Sequence, residues 1–373
     1  MIVTIVGWYG TETSGDRAIL DGILSVLYEI DQTAQVKLGS LFPFYSERTL
    51  LEERNVFKES APGVAIELFD IKEKKSLIES VKKSDLLILG GGPLMDLEEL
   101  HLIEHAFSVA KNQKIPAFVM GCGIGPLNEE KYIHLVERIL EKAAKISLRD
   151  RISGNTMEKL WPGKFTYDCL GDPAVISVEN YLKKRVAAEK KNYLAVNFRD
   201  FPGEQYGSNT SVDMTAIADM LNTLSEKCGE ILLVPMHTFH VGNDDRKYLT
   251  QLKMQCNNSK IKVLHKPLNL HELYMIYGNA TGCIGMRYHS IVMQTILNGN
   301  NLVFDYTDPN SGKIAGFLSM ENGNTFYADR KICLKTNVNK DLKQMGMKLF
   351  AGEKFSYKLS DMKREYVRFL NDN

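Results

Sequence analysis

Met1-Ile-Val-Thr-Ile-Val-Gly7-Trp-Tyr-Gly10-Thr-Glu-Thr-Ser-Gly15-Asp16-Arg-Ala-Ile-Leu-Asp-Gly-Ile-Leu-Ser-Val-Leu27 opens the chain and decides its fold. Five apolar or β-branched residues form a short buried strand, a glycine-rich turn follows, and Ala18 onward has the apolar spacing of a helix. Strand, loop and helix in that order begin a βαβ unit on a parallel sheet. The same punctuation recurs at Leu86 to Leu89, Ala117 to Met120 and Ile146 to Leu148, each bounded by Gly, Pro or Asp. A second series starts at Tyr193-Leu-Ala-Val-Asn-Phe and continues at Ile231 to Val234, Lys262 to Leu264, Gly282 to Gly285 and Asn301 to Phe304.

With 373 residues the chain exceeds the ~250–300 at which one hydrophobic core usually stops growing. The expected fold is therefore α/β, with two doubly wound Rossmann-like domains facing across a cleft. They are placed at residues 1–175 and 176–350. The Lys183 to Asn192 stretch reads as solvated linker, and residues 351–373 as a terminal helix spaced by Phe355, Leu359, Met362, Tyr366 and Leu370.

Composition narrows the function. The chain is 44% hydrophobic and 25% charged, as in ordinary globular proteins. Its 46 basic residues balance its 46 acidic ones, so no global positive field attracts nucleic acid. Any anionic ligand must be held by local charge. The six cysteines include no C-x-x-C pair, and no apolar run approaches the ~18 residues of a spanning helix. The first residues read as a core strand rather than a signal peptide, which implies a cytoplasmic protein.

Ligands of open parallel sheets sit beyond the carboxyl ends of the strands, so the loops there carry the chemistry. In the first, Gly7, Gly10 and Gly15 let backbone approach a ligand, and the helix after Asp16 offers unpaired N–H groups to an anion. The alternative is a turn in which Asp16 caps the helix. The second loop is Gly90-Gly91-Gly92-Pro-Leu-Met-Asp96, and the third is Gly121-Cys-Gly123-Ile-Gly125-Pro126. Both suit close passage of substrate, or serve as packing space. The fourth places Arg149 beside Asp150 and Arg151, an oxyanion clamp or a surface ion pair.

The fifth loop is the most informative. In Gly285-Met-Arg287-Tyr-His289, a guanidinium and an imidazole stand two residues apart at the start of an apolar helix that ends at Gly299. Helix dipole, cation and proton donor converge there. Lys313, downstream of Tyr306 in a loop of turn residues, is placed to reach the same ligand. His237 and His240 follow another strand and would orient a sugar or phosphate, or lie exposed on a loop. His101-Leu-Ile-Glu104-His105 matches an inverted zinc-peptidase pattern, but no third ligand follows, and the chemistry calls for no metal.

In this order the loops resemble the polysaccharide pyruvyl transferase family. The correspondence runs through Gly7 to Asp16, Gly90 to Asp96, Gly121 to Pro126, Arg149-Asp150, Asp172-Pro173, Pro235-Met-His237, Gly285 to His289, and Tyr306 with Lys313, covering most of residues 1–317. Glu12 and Thr13 replace the usual Gly and Asn, and Cys122 replaces a common Gln. These departures bear on the acceptor more than on the reaction.

The resemblance implies a fold similar to the type B glycosyltransferases. It also implies phosphoenolpyruvate as donor substrate, with no further cofactor, and Arg287, His289, Lys313 and Arg149 as the residues that handle it. The acceptor would be a glycan precursor of a capsule, exopolysaccharide or cell wall. A lipid-linked acceptor would bring the protein to the membrane surface. Its identity, the general base and the oligomeric state are left open. The rival expectations are a type B glycosyltransferase using a nucleotide sugar, and a sugar- or nucleotide-binding protein without turnover.

Overall fold

The computed structural model describes residues 1–11, 13–185, 190–206, 213–239, 243–335 and 341–372. The chain forms two compact units. One comprises Met1–Glu12, Asp16–Ser177 and Ser360–Asn373, and the other Thr13–Gly15 and Val178–Leu359.

Among the described residues the first unit holds β1 (Ile2–Val6), β2 (Gln35–Ser40), β3 (Ala65–Asp70), β4 (Leu86–Gly90), β5 (Pro93–Leu94), β6 (Ala117–Ile124), β7 (Lys145–Leu148) and β8 (Asp168–Cys169). Their order is β3-β2-β1-β4-β6-β7-β8, with β5 beside β6. Every pairing is parallel, as with Val3 opposite Val36 and Leu86. Helices cover the sheet, so central strands are buried on both faces; all five residues of β4 are inside.

The second unit holds β9 (Lys191–Val196), β10 (Glu230–Leu233), β11 (Ile261–Val263), β12 (Ala280–Gly285), β13 (Asn301–Asp305) and β14 (Lys331–Cys333), in the order β11-β10-β9-β12-β13-β14. This is the doubly wound order, with the topological switch between β9 and β12. In the first unit the switch lies between β1 and β4.

Three segments differ from the sequence expectation. Gly121 to Gly123 is not a loop: β6 runs on to Ile124, and Gly123 pairs with Pro93 of β5. Ala174–Lys184, read as connection and solvated stretch, is a helix whose first half is buried. The terminal helix spans only Met362–Asn371, because Phe355 donates its N–H to the Gly299 carbonyl (2.9 Å) and runs non-helically. Gly299 is required there, since a Cβ would fall 2.3 Å from the Phe355 oxygen at φ +73°. In the first unit the terminal helix is fixed by Tyr366, which is buried and donates to the Gly171 carbonyl (2.6 Å).

Candidate active site

The carboxyl ends of β9, β10, β12 and β13 bring together a cluster of charged and aromatic side chains in the second unit. The helix Tyr288–Leu297 follows β12 directly, and every one of its residues is buried except His289. Its buried polar side chains are bonded internally, Ser290 to the Arg287 carbonyl (2.7 Å) and Gln294 to the Ile284 carbonyl (3.1 Å), as a core helix requires. His289, in its first turn, is the one residue of the helix that is only partly buried.

Arg287 is the residue before that helix, and its side chain turns away to Asp245. Nε lies 2.9 and 2.8 Å from the two carboxylate oxygens, and Nη2 lies 2.6 Å from Oδ1. Asp245 is 1% exposed and also accepts the N–H groups of Met236 (3.0 Å) and His237 (3.2 Å). Asn197, fully buried just past β9, accepts the Arg287 N–H (3.0 Å) and donates to the Val234 carbonyl (3.0 Å). The strand ends on both sides of the switch are thereby tied together beneath Arg287.

Around Tyr306, immediately after β13, three cations collect. Lys313, the first residue of the helix Lys313–Met320, has its Nζ 5.3 Å from the Tyr306 ring centroid, 5.4 Å from that of Tyr206 and 5.9 Å from that of Tyr288. The guanidinium of Arg199 stands 5.9 Å from the Tyr306 ring. Burial raises the Tyr306 phenol pKa, but Lys313, Arg199 and Arg287 together outweigh it, and the phenol is held below its ordinary value. Burial, and then Arg287, pull the Arg199 pKa down, against Tyr306 and Asp245. Arg287 is ion-paired with Asp245 (2.6 Å), which also acts on Arg199, while Lys313 and Lys331 act on Asp305, whose pKa burial raises. The cluster therefore carries a positive excess suited to an anion.

Tyr288 carries the cluster across to His289, their ring centroids 4.9 Å apart. Gly15 lies against the same imidazole; a Cβ at Gly15 would stand 1.9 Å from Nδ1. Ser14 donates its N–H to the Met236 carbonyl (2.9 Å), and Thr13 bridges His237. His237 is 3% exposed, not an exposed loop histidine, and its backbone serves Asp245. His240 lies outside the described residues, as does Glu12.

In the first unit the glycines have different work. A Cβ at Gly91 (φ +69°) would meet Ile19 at 2.5 Å, and one at Gly92 (φ +75°) would meet Trp8 at 2.2 Å. Gly10 abuts the Ser40 hydroxyl and the Phe42 backbone, and Gly7 abuts Tyr9. These glycines make room for neighbouring parts of their own unit. Gly123 does so for Arg149, whose guanidinium carbon would stand 2.4 Å from a Cβ there. Arg149 is only 4% exposed, and its pair with Asp150 (3.1 Å) is buried rather than superficial. Asp150 also caps the helix Arg151–Leu160 through the Ser153 N–H (2.7 Å). Asp96 accepts from the backbone and side chain of Asn128 (2.9 and 3.1 Å), and Asp16 accepts from the Thr11 hydroxyl (3.4 Å). Burial pushes the Cys122 thiol up to about 12, so it is no nucleophile near neutral pH.

Within the zinc-like pattern, Glu104 is engaged by cations and His101 Nδ1 lies 2.6 Å from the Glu98 carbonyl. Glu104 accepts Lys142 at 2.7 Å and lies 3.7 Å from Arg138. Among the described residues no group of three or more His, Cys, Asp or Glu is placed to hold a metal ion.

The sequence reading brought Arg287, His289, Tyr306 and Lys313 into view and missed Arg199, Asn197 and Asp245. Arg199 carried a usable signal, since it stands three residues past a strand end of the kind searched elsewhere. Asp245 carried none, because its partner is 42 residues away.

A family model described as polysaccharide pyruvyl transferase matches residues 14–309. The amylovoran biosynthesis protein AmsJ of Erwinia amylovora is 21% identical over 393 residues, covering 90% of this chain and 91% of that protein. The UDP-GlcNAc 2-epimerase of Methanocaldococcus jannaschii superposes with a TM-score of 0.65 at 14% identity, covering 100% of both chains. The Neisseria meningitidis enzyme bound to UDP-GlcNAc does so with 0.62 at 12%, again over 100% of both. At such identities the solved structures show the shared fold, two Rossmann-like sheets of the type B glycosyltransferase kind, and nothing about substrate.

Proposed function

We propose, for a chain that belongs to the polysaccharide pyruvyl transferase family and is therefore a transferase, that it moves the enolpyruvyl group of phosphoenolpyruvate onto two hydroxyls of a glycan precursor. The observation that carries this reading is His289, the one partly buried residue of an otherwise buried helix, next to Tyr288 and the positive excess formed by Arg287, Arg199 and Lys313.

The donor carries a carboxylate and an enol phosphate ester on the same carbon, so it needs cations for both anionic groups and a proton for its methylene carbon. Lys313 and Arg199 supply charge around Tyr306, and Asp245 holds the Arg287 guanidinium in one orientation. His289 protonates C3, which makes C2 electrophilic. The first sugar hydroxyl adds to C2, the C2–O bond to phosphate breaks, and the second hydroxyl closes the ketal. Of the two hydroxyl protons, one is accounted for by the new methyl group and one by the released hydrogen phosphate, so charge and atoms balance. Arg149, buried against Gly123, belongs to this reading as a charge on the first unit's strand ends.

AmsJ's role in amylovoran biosynthesis supports an exopolysaccharide precursor as acceptor. The test is to incubate the protein with phosphoenolpyruvate and a panel of lipid-linked and nucleotide-linked sugars while following inorganic phosphate. Acceptor-dependent phosphate release with a new ketal supports the reading. Consumption of a nucleotide sugar instead, without phosphoenolpyruvate, overturns it.

A further inference from the structure

Asp305, the last residue of β13, enters no step of the transfer, yet it is a carboxylate with 0% exposure immediately before Tyr306. Taking such a group out of water is costly, and burial raises its pKa. Its Oδ1 accepts the N–H of Thr307 (2.8 Å) and the Thr307 hydroxyl (2.6 Å), the turn an aspartate makes with the backbone two residues on. Thr307 is itself buried. On the side of the other oxygen, Lys331 stands 3.8 Å from Oδ2 and donates to the Pro309 carbonyl (3.1 Å), farther along the same loop.

Thr307 in turn shapes the start of the helix Lys313–Met320. A Cβ at Gly312, the residue before that helix, would stand 2.0 Å from Thr307 Oγ1 and 2.5 Å from the Asp308 carbonyl oxygen. The hydroxyl therefore lies directly against the backbone that leads into Lys313. Asp308 holds the rest of the loop: its Oδ1 accepts the N–H groups of Asn310 (2.9 Å) and Ser311 (2.7 Å), and its carbonyl accepts that of Gly312 (2.8 Å). The path from β13 to Lys313 is thus fixed at Thr307, Pro309, Ser311 and Gly312. A lysine stem is long and flexible, so the resting place of its ammonium depends on how firmly its own backbone is set.

We propose that Asp305 and Thr307 are positioning residues for Lys313, setting where the helix Lys313–Met320 starts and so where the ammonium comes to rest among the rings of Tyr306, Tyr206 and Tyr288. Neither touches the donor. The buried carboxylate holds the Thr307 hydroxyl, the hydroxyl packs against Gly312, and Gly312 leads into Lys313. The consequence for catalysis rests on the functional reading above, in which Lys313 is one of the donor's cations; the placement of Lys313 rests on the loop alone.

The test follows the Tyr306 phenol by its tyrosinate absorbance in the full chain, with no donor present. Lys313 is the foremost of the cations that hold this phenol down, and the other two, Arg199 and Arg287, lie on other loops. Thr307→Val keeps the bulk of the side chain and removes the hydroxyl, whereas Gly312→Ala presses a methyl group against it. Both should move the Tyr306 titration upward and lower acceptor-dependent phosphate release by about 10²-fold. Thr307→Ser, which keeps the hydroxyl, should match wild type in both. In a Lys313→Met background neither substitution should move the titration further, because the effect runs through Lys313. An unmoved titration in Thr307→Val, or a shift of the same size without Lys313, overturns the proposal; Thr307→Val alone decides the matter if Gly312→Ala fails to fold. Since the titration needs no donor, its failure is distinguishable from a failure of phosphoenolpyruvate turnover.

Discussion

Asp245 grips Arg287 from beneath, with both carboxylate oxygens within 2.9 Å of its Nε and Oδ1 within 2.6 Å of Nη2. The acid is buried and the guanidinium nearly so, its side chain 13% exposed. A desolvated pair of this kind fixes orientation more than it adds stability, because the cost of burying two charges offsets much of their attraction. Removing one partner is another matter. Asp245→Asn leaves Arg287 in place without its counter-charge and is expected to lower unfolding stability by about 3 kcal/mol. Chemical denaturation, with phosphoenolpyruvate binding measured on the same sample, checks both effects; an unchanged midpoint would show that the pair holds nothing.

Gly15 predicts a separable defect. Its missing Cβ leaves room for the His289 ring, 1.9 Å away at Nδ1. An imidazole can swing aside, so Gly15→Ala should fold normally yet carry His289, the proposed proton donor, out of position. Turnover should fall by about 10²-fold, with the far-ultraviolet spectrum and thermal midpoint close to wild type. Full activity in this variant would show that His289 tolerates the displacement and that Gly15 does not position it.

Tyr306 offers an optical check. Lys313, Arg199 and Arg287 hold its phenol below the ordinary range despite its burial. The wild-type protein should show one tyrosinate absorbance change at lower pH than the rest, absent in Tyr306→Phe. Lys313→Met should move it upward. If Tyr306→Phe leaves the titration unaltered, the three cations do not act on this phenol.

Glu321 makes stability fall as pH rises. Burial, and then the neighbouring Glu179, raise its carboxyl from 4.5 to about 7. The folded state keeps this proton where the unfolded chain has lost it, so the stabilisation is complete below the unfolded value and is lost as pH climbs through the folded one. Glu321 follows directly on the helix that begins with Lys313. Between about pH 4.5 and 7 the loss should be on the order of 1 to 2 kcal/mol, and Glu321→Gln should flatten it. A Glu321→Gln profile identical to wild type would remove Glu321 as the source.

Much of this architecture was readable from local patterns. Short apolar runs such as Leu86 to Leu89 are buried on both faces of a parallel sheet, and nothing but a strand accounts for them. Gly285-Met-Arg287-Tyr-His289 was legible because a strand end, a cation and an imidazole fall within five residues. Where glycine was involved, local reading misassigned the backbone: Gly121 to Gly123 reads as a loop, yet the strand continues because its backbone pairs with β5 and β7, and Gly123 leaves the space that the buried Arg149 guanidinium fills. Phe355 and Leu359 had helical spacing, but their segment is claimed by a backbone bond to Gly299, which no local pattern reports. Asp245 illustrates the same limit at the site, for Asp244 and Asp245 look alike in sequence. Asp244 caps the helix Asp245–Cys256 from a partly exposed position, while Asp245 is buried under Arg287, the N-cap of another helix.

The measurement closest to the central claim compares wild type with His289→Ala for phosphate release from phosphoenolpyruvate in the presence of an accepting glycan. His289→Ala should lose about 10² to 10⁴-fold in turnover while still binding phosphoenolpyruvate through the cations around Tyr306. Undiminished ketal formation by His289→Ala would contradict the assignment of the transferred proton to that imidazole.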